Sequence, residues 1–392
     1  MNKLITITLF LSASIVAQAQ SGYDAVLQQI ETNSTTLSAL RKQTEAQQLG
    51  NRTGIFLANP EVEFNYLWGS PSIAGNRTDI AVSQSFDFPT VYAHRSKISN
   101  LQNKNAELEY KAERINLLLS AKRICIELIY NNALAKEYAI RLQNAEHIAT
   151  TYKSQLSKGA ANVIENNKAQ LNLSTVQTEI AHIEAERTAL LSQLKSLNGG
   201  KEIVFPNDIY PANLLPSNFE DWYTTAETKS PVLQYVSGQI EIGKQEIKLN
   251  RSMWLPKFSA GYMSEKIVGE QFQGITIGVS IPLWENKNTI KQAKTQLQAT
   301  EMAMIDSKLQ FYNHLQTLYV KAAALQQNAT KIKQSLADYS NVSLLQKALD
   351  AGEISLLNYL LEVEYYYDTM NKVLEIERNF ELTVAELEAV EM

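Results

Sequence analysis

The side chains able to do chemistry are few and scattered. The four histidines, His94, His147, His182 and His314, stand singly, without the spacing that lets imidazoles share a metal. The single cysteine, Cys125, sits in an apolar helical pattern and reads as a small buried hydrophobe. The sequence has no glycine-rich phosphate loop and no nucleophile elbow. No catalytic residue, metal or cofactor is therefore expected, and the chain does not read as an enzyme. A net charge of −5 without a basic run excludes nucleic acid as an expected partner. What remains is a mixture of carboxylates and aliphatic residues around two glycines, in Ser157-Lys158-Gly159-Ala160-Ala161-Asn162-Val163-Ile164-Glu165 and Asp350-Ala351-Gly352-Glu353-Ile354-Ser355-Leu356-Leu357-Asn358. Each glycine permits the positive φ of a tight helix–helix reversal.

The elements that position these turns come in two kinds. Two stretches alternate apolar and polar residues with period two. In the first, Val62, Phe64, Tyr66 and Trp68 oppose Glu61, Glu63 and Asn65; after a turn, Ile80, Val82, Phe86 and Phe88 oppose Asp79, Ala81, Ser83 and Asp87. In the second, Phe258, Ala260, Tyr262 and Ser264 are followed by Ile275, Ile277, Val279, Ile281 and Leu283. Such patterns predict two β-hairpins, over 59–89 and 255–284, with runs of about ten residues, the length a tilted strand needs to cross a bilayer. Their second face is too polar for a protein core but suits a wet lumen.

Everything else reads as helix. Tyr23–Ala58 and Phe219–Met253 are helical in composition. His94–Ser157 is a long run free of proline and glycine, with a heptad of apolar residues through Leu101, Leu108, Ala112, Ile115, Leu119, Ile126, Ile129, Ala133 and Ile140. Asn162–Leu197 runs back, ending at Asn198-Gly199-Gly200. Glu285 to about Leu349 is a second long helix, and Ile354–Val390 its return. Each long helix would span roughly 95 Å, and the two shorter ones of its repeat, laid end to end, would match it. Pro60 answers to Pro256 and Gly159 to Gly352 at nearly one offset, which marks an internal duplication.

The expected organisation is a secretory leader over 1–19, with the A-x-A site Ala17-Gln18-Ala19; a first repeat over 20–200; a linker over 201–219 carrying Pro206, Pro211 and Pro216; and a second repeat over 220–392. No cysteine follows the cleavage site to carry a lipid anchor, and no apolar run beyond the leader reaches the length of a membrane helix. Open sheet edges cannot face lipid. Four strands are too few to close a barrel, so several chains must share one: two chains give eight strands and a filled interior, three give twelve and a pore. Trp68, Trp284, Tyr66, Tyr92 and Tyr262 fall where an interfacial aromatic girdle would lie.

The duplicated helix, hairpin and helix pair, the prolines opening the outer strands and the glycine turns together resemble the TolC family of outer-membrane factors, over essentially the whole mature chain. The stretch Asn59-Pro60-Glu61 and the compact length lean towards its cation-efflux branch. The resemblance implies a mainly α fold with a transmembrane β part: a homotrimer whose twelve-strand barrel in the outer membrane continues as a periplasmic α-helical barrel. It implies partnership with a periplasmic adaptor protein and an inner-membrane pump of RND or ABC type, with lipid around the barrel. The duct would export small molecules or metal ions; a duct for type I protein secretion is the alternative. From a different class, a periplasmic adaptor or coiled-coil scaffold is disfavoured by the two hairpins. The resemblance places adaptor docking at Gly159, Val163, Ile164, Gly352, Ile354, Leu356 and Leu357. It places the pore constriction near Glu165, where an acid matches the family pattern. In the second turn Asn358 and Leu361 replace family acids, leaving Glu353, Glu362 and Glu364 as substitutes in a cation-attracting ring.

Overall fold

The computed structural model describes residues 22–71, 75–339 and 341–392. The leader expected over 1–19 lies outside the described residues. Two compact units emerge, each drawing on both halves of the sequence. One takes the chain up to Ser38 with Arg114–Tyr223 and His314–Met392; the other takes Ala39–Glu113 and Thr224–Asn313.

The second of these units carries the sheet. Strands β1 (Glu61–Trp68), β2 (Asn76–Phe86), β3 (Lys257–Ile267) and β4 (Glu270–Ser280) form one antiparallel sheet in that order, so β2–β3 pairing joins the two hairpins. Residues directly opposite in an antiparallel pair project from the same face. The register puts Val62, Val82, Tyr262 and Ile275 in one row, and Phe86, Phe258 and Val279 in another. Every apolar set read from the sequence thus lands on a single face. A one-residue slip in either pairing would scatter it. Ile275 and Ile277 are each 81% exposed, so nothing among the described residues covers them. The opposite face carries Glu61, Glu63, Asp79 and Glu265, with Arg77 bonded to Asp79 at 2.8 Å and to Glu265 at 3.0 Å. Strands β1 and β4 are the edges and, among the described residues, have no partner on their outer sides.

Strands β2, β3 and β4 have 11 residues each, but β2 and β4 end before the alternation does. Phe88, Ile281, Leu283 and Trp284 lie beyond the ends of β2 and β4. There Asn286 is buried and donates from Nδ2 to the Met253 carbonyl, and Asn288 has a positive φ of 70°, which ends the extended run before α7.

The first helix of each repeat is broken. Tyr23–Ala58 resolves into α1 (Asp24–Asn33) and α2 (Thr35–Gly50), with an irregular stretch before β1. Phe219–Met253 resolves into α5 (Phe219–Lys229) and α6 (Pro231–Ser252). Ser34 and Ser230 make the breaks. Both are buried, and each accepts from the amide three residues on, Leu37 and Leu233, at 3.4 Å. Pro231 then occupies the first helical position, where its missing N–H costs nothing.

Helix α3 runs Pro89–Ser157, starting five residues before the expected His94 because a proline initiates it. In its later part Leu118, Ala121, Cys125, Ile126, Leu128 and Ile129 are buried with Tyr23, Val26 and Ile30, Leu194 of α4 (Val163–Leu197), Ile203, Phe205 and Ala385. The heptad is therefore only partly the packing seam: Leu119 is half-buried, Ile140 is exposed, and Asn105, a polar residue at heptad spacing between Leu101 and Leu108, is buried, its amide donating to the Tyr235 carbonyl at 3.2 Å. The second long helix is not continuous. Helix α7 (Thr289–Tyr339) stops and α8 (Val342–Asp350) starts after Asn341, whose φ of −125° leaves the helical range. Asparagine competes for its own backbone and breaks helices cheaply. Helix α9 (Leu356–Leu387) returns and ends in a 3-10 turn over Glu388–Glu391.

Candidate functional site: two capped glycine turns

Both glycine turns belong to the unit that contains most of α3, α4, α8 and α9. Gly159 has φ +71° and Gly352 φ +76°. After α3, the Ala160 amide donates to the Gln155 carbonyl at 2.8 Å and the Gly159 amide to Leu156 at 3.0 Å. After α8, Glu353 donates to Ala348 at 2.9 Å and Gly352 to Leu349 at 3.0 Å. Both are complete Schellman motifs, which satisfy helix carbonyls that the chain reversal would otherwise orphan.

Three residues after each glycine stands an N-cap. Asn162 and Glu165 form a reciprocal capping box at the start of α4. Ser355 accepts from the Asn358 amide at 3.2 Å at the start of α9, and the side chain of Asn358 is exposed. The residue expected to constrict a pore, Glu165, is thus half-buried and bonded to backbone, while Glu353 and Glu362 are exposed.

The aliphatic residues of the turns divide. Val163 is 59% exposed and Ile164 67%, and Leu357 is also exposed. Leu356 is 1% exposed and packs with Ile148, Ala169, Leu349, Tyr359 and Val363; Ile354 is partly buried against the same cluster. These two pack the helices of the turn together. On α9 the exposed Leu361 and Tyr365 continue from Leu357 at four-residue spacing.

Three features escaped the sequence reading. Arg141 of α3 is buried between the rings of Tyr138 and Tyr367, at 4.4 and 4.3 Å, and donates to Asn371 at 2.8 Å. His147 Nε2 lies 3.7 Å from Asp350 Oδ1. Glu381 of α9 is 4% exposed and accepts from Asn213 Nδ2 at 2.6 Å; burial pushes its pKa to about 7, against opposing help from Asn213 and Lys122. Apart from Tyr138, the partners Tyr367, Asn371, Asp350 and Asn213 lie far along the chain, so no local spacing could reveal them. Burial also raises the Cys125 thiol, to about 12, as an inert core position requires. Among the described residues, no group of three or more His, Cys, Asp or Glu side chains could hold a metal ion, and no helix is long and apolar enough to cross a membrane.

No family model and no curated protein matches the sequence. Solved structures do. The CmeC outer-membrane channel of Campylobacter jejuni aligns over 94% of this chain and 85% of its own, with 16% identity and a TM-score of 0.77. The chain has the fold of an outer-membrane channel. CusC, a transmembrane channel, aligns over 98% and 95% with 13% identity and a TM-score of 0.79. The open state of the MtrE outer-membrane channel of Neisseria gonorrhoeae aligns over 94% and 88%, with 14% identity and a TM-score of 0.72. The resemblance read from the duplicated elements is thus matched at the level of fold.

Proposed function

We propose that the protein is a passive exit duct in the outer membrane of a Gram-negative-type cell, extending into the periplasm and assembled as a homotrimer. The observation that carries this reading is the sheet: one exposed, mainly apolar face, one charged face, and two open edges. A sheet of that kind is stable in lipid only when its edges close on copies of themselves. Three copies supply twelve strands around a lumen lined by the charged face, whereas two copies would leave an interior filled by side chains. The similarity to CmeC, CusC and MtrE supports the same reading. The chain does no chemistry. Energy comes from an inner-membrane pump, of RND or ABC type, reached through a periplasmic adaptor. The adaptor docks on the exposed aliphatic residues of the glycine turns, Val163, Ile164 and Leu357. Small molecules or metal ions are the cargo.

The test is the mass of the detergent-extracted outer-membrane species, with single-channel conductance on the same sample. A trimer with low resting conductance is expected. A monomer that stays in solution without detergent would sink the proposal.

A further inference from the structure

Helix α8 is a nine-residue segment set between the break at Asn341 and the Gly352 turn. Its inner side is held to α9 and α3 by Leu349, Leu345 and Val342 against Ile148, Leu356 and Tyr359. Its last residue, Asp350, faces α3 across a small cleft of about 210 Å³ lined by His147, Ile148, Thr151, Tyr152, Gln155 and Leu349. Tyr359 Oη donates to Gln346 Oε1 at 2.8 Å, and Gln346 Nε2 donates to Asp350 Oδ1 at 3.0 Å. That relay fixes the Asp350 carboxylate on the side where His147 Nε2 stands 3.7 Å from the same oxygen, just outside hydrogen-bond range.

We propose that protonation of His147 latches the C-terminal end of α8 onto α3 by pairing the imidazolium with Asp350. The latch gives the turn region a response to periplasmic pH; it deepens, and rests on, the reading of these turns as the adaptor-facing end of a duct. The partial negative charge at the C-terminal end of α8 adds to the attraction, because that end of a helix favours a cation. Three neighbouring titratable groups do not compete. Tyr359 of α9 and Tyr152 of α3 are neutral phenols raised further by burial, and Glu165 of α4 is engaged in its capping box. The attraction exists with the imidazole charged and disappears as pH rises and the proton leaves.

The experiment is hydrogen exchange of the full-length, detergent-purified protein at pH 5.5 and 7.5, corrected for the intrinsic pH dependence of amide exchange. In the unsubstituted chain, peptides covering α8 should exchange two- to fivefold more slowly at the lower pH, the range open to a solvent-accessible ion pair. In His147→Gln and in Asp350→Asn that difference should vanish, while exchange elsewhere in the unit stays unchanged. Equal protection of α8 at both pH values in the unsubstituted chain, or a difference that survives in both variants, overturns the latch. A protein that needs no detergent would defeat the duct reading separately, since the exchange difference is readable in either case.

Discussion

Asn162 and Glu165 cap one another at the start of α4. The Glu165 amide donates to Asn162 Oδ1 at 2.9 Å, and the Asn162 amide donates to the Glu165 carboxylate at 3.2 Å. The equivalent pair of the second turn, Ser355 and Asn358, makes only the first of these bonds. One acid is thereby explained by helix geometry before any pore is invoked.

The capping role separates two substitutions. Glutamine preserves a capping box, whereas alanine leaves an N-cap amide unsatisfied, and lost cap interactions cost about 0.5–2 kcal/mol. Glu165→Gln should keep hydrogen-exchange protection through the first turn of α4 and leave conductance unchanged; Glu165→Ala should lose the protection. A conductance shift of equal size in both variants would instead place the charge of Glu165 in the ion path.

The sheet supports an asymmetric prediction. Val82 and Ile277 lie on the apolar face, Thr276 on the charged one. Arginine at mid-bilayer depth costs about 2–4 kcal/mol on a lipid-facing position and little on a lumen-facing one. Val82→Arg and Ile277→Arg should therefore reduce the yield of detergent-extracted oligomer severalfold, and Thr276→Arg should leave it near the unsubstituted level. Equal yields from all three would remove the assignment of faces.

Glu381 makes stability depend on pH with a definite sign. Its folded pKa of about 7 lies above the model-compound value of 4.5. The protonated carboxyl therefore contributes its full stability below about pH 4.5, and the contribution is lost as pH rises through about 7. The difference between those limits is of the order of 2–4 kcal/mol. Glu381→Gln removes the titration and keeps an oxygen for Asn213. It should raise the melting temperature at pH 8 and leave it almost unchanged at pH 4.5, followed by helical circular dichroism. A variant that melts lower at both values would assign Glu381 a role its charge does not explain.

What the sequence made legible was whatever a local period or a special residue encodes. Period two marked the strands, and the register put every apolar set on one face because a slip would have exposed charge to lipid. Gly159 and Gly352 marked the turns because glycine is the usual residue at their positive φ. The breaks at Ser34 and Ser230 were harder to see, since serine is an unremarkable helix residue until burial makes it a cap. Pro231 was a visible clue. Composition favoured a continuous helix there, yet a proline at the first position begins a helix as readily as one inside breaks it. The gap before α8 follows from Asn341, a weak signal in an otherwise helical run. At the turns, spacing could not tell Leu356 from Leu357. One points into a cluster built from α3, α4 and α8, and only tertiary packing decides which.

The two glycines allow a last prediction in which strain is separated from crowding. A Cβ built at Gly159 or Gly352 meets nothing within 4 Å, so a larger side chain would not clash. The whole penalty comes from φ values of +71° and +76°, where an L-residue costs about 1–2 kcal/mol and a β-branched one more. Asparagine tolerates this region and substitutes for glycine in Schellman turns. Gly352→Asn should therefore keep the turn and, with it, the placement of Glu353, Leu357 and Asn358. Gly352→Val should flip the backbone, release the Glu353 and Gly352 amides from Ala348 and Leu349, and disorder the start of α9. Hydrogen exchange of residues 348–358 reads the turn, the yield of extracted oligomer reads insertion, and drug or metal tolerance of cells carrying the variant reads export. The expected pattern is loss of protection and of tolerance in the valine variant with yield intact, and near-normal values for asparagine. If valine spares tolerance at both Gly159 and Gly352, the turns shape the helix pairs without taking part in transport.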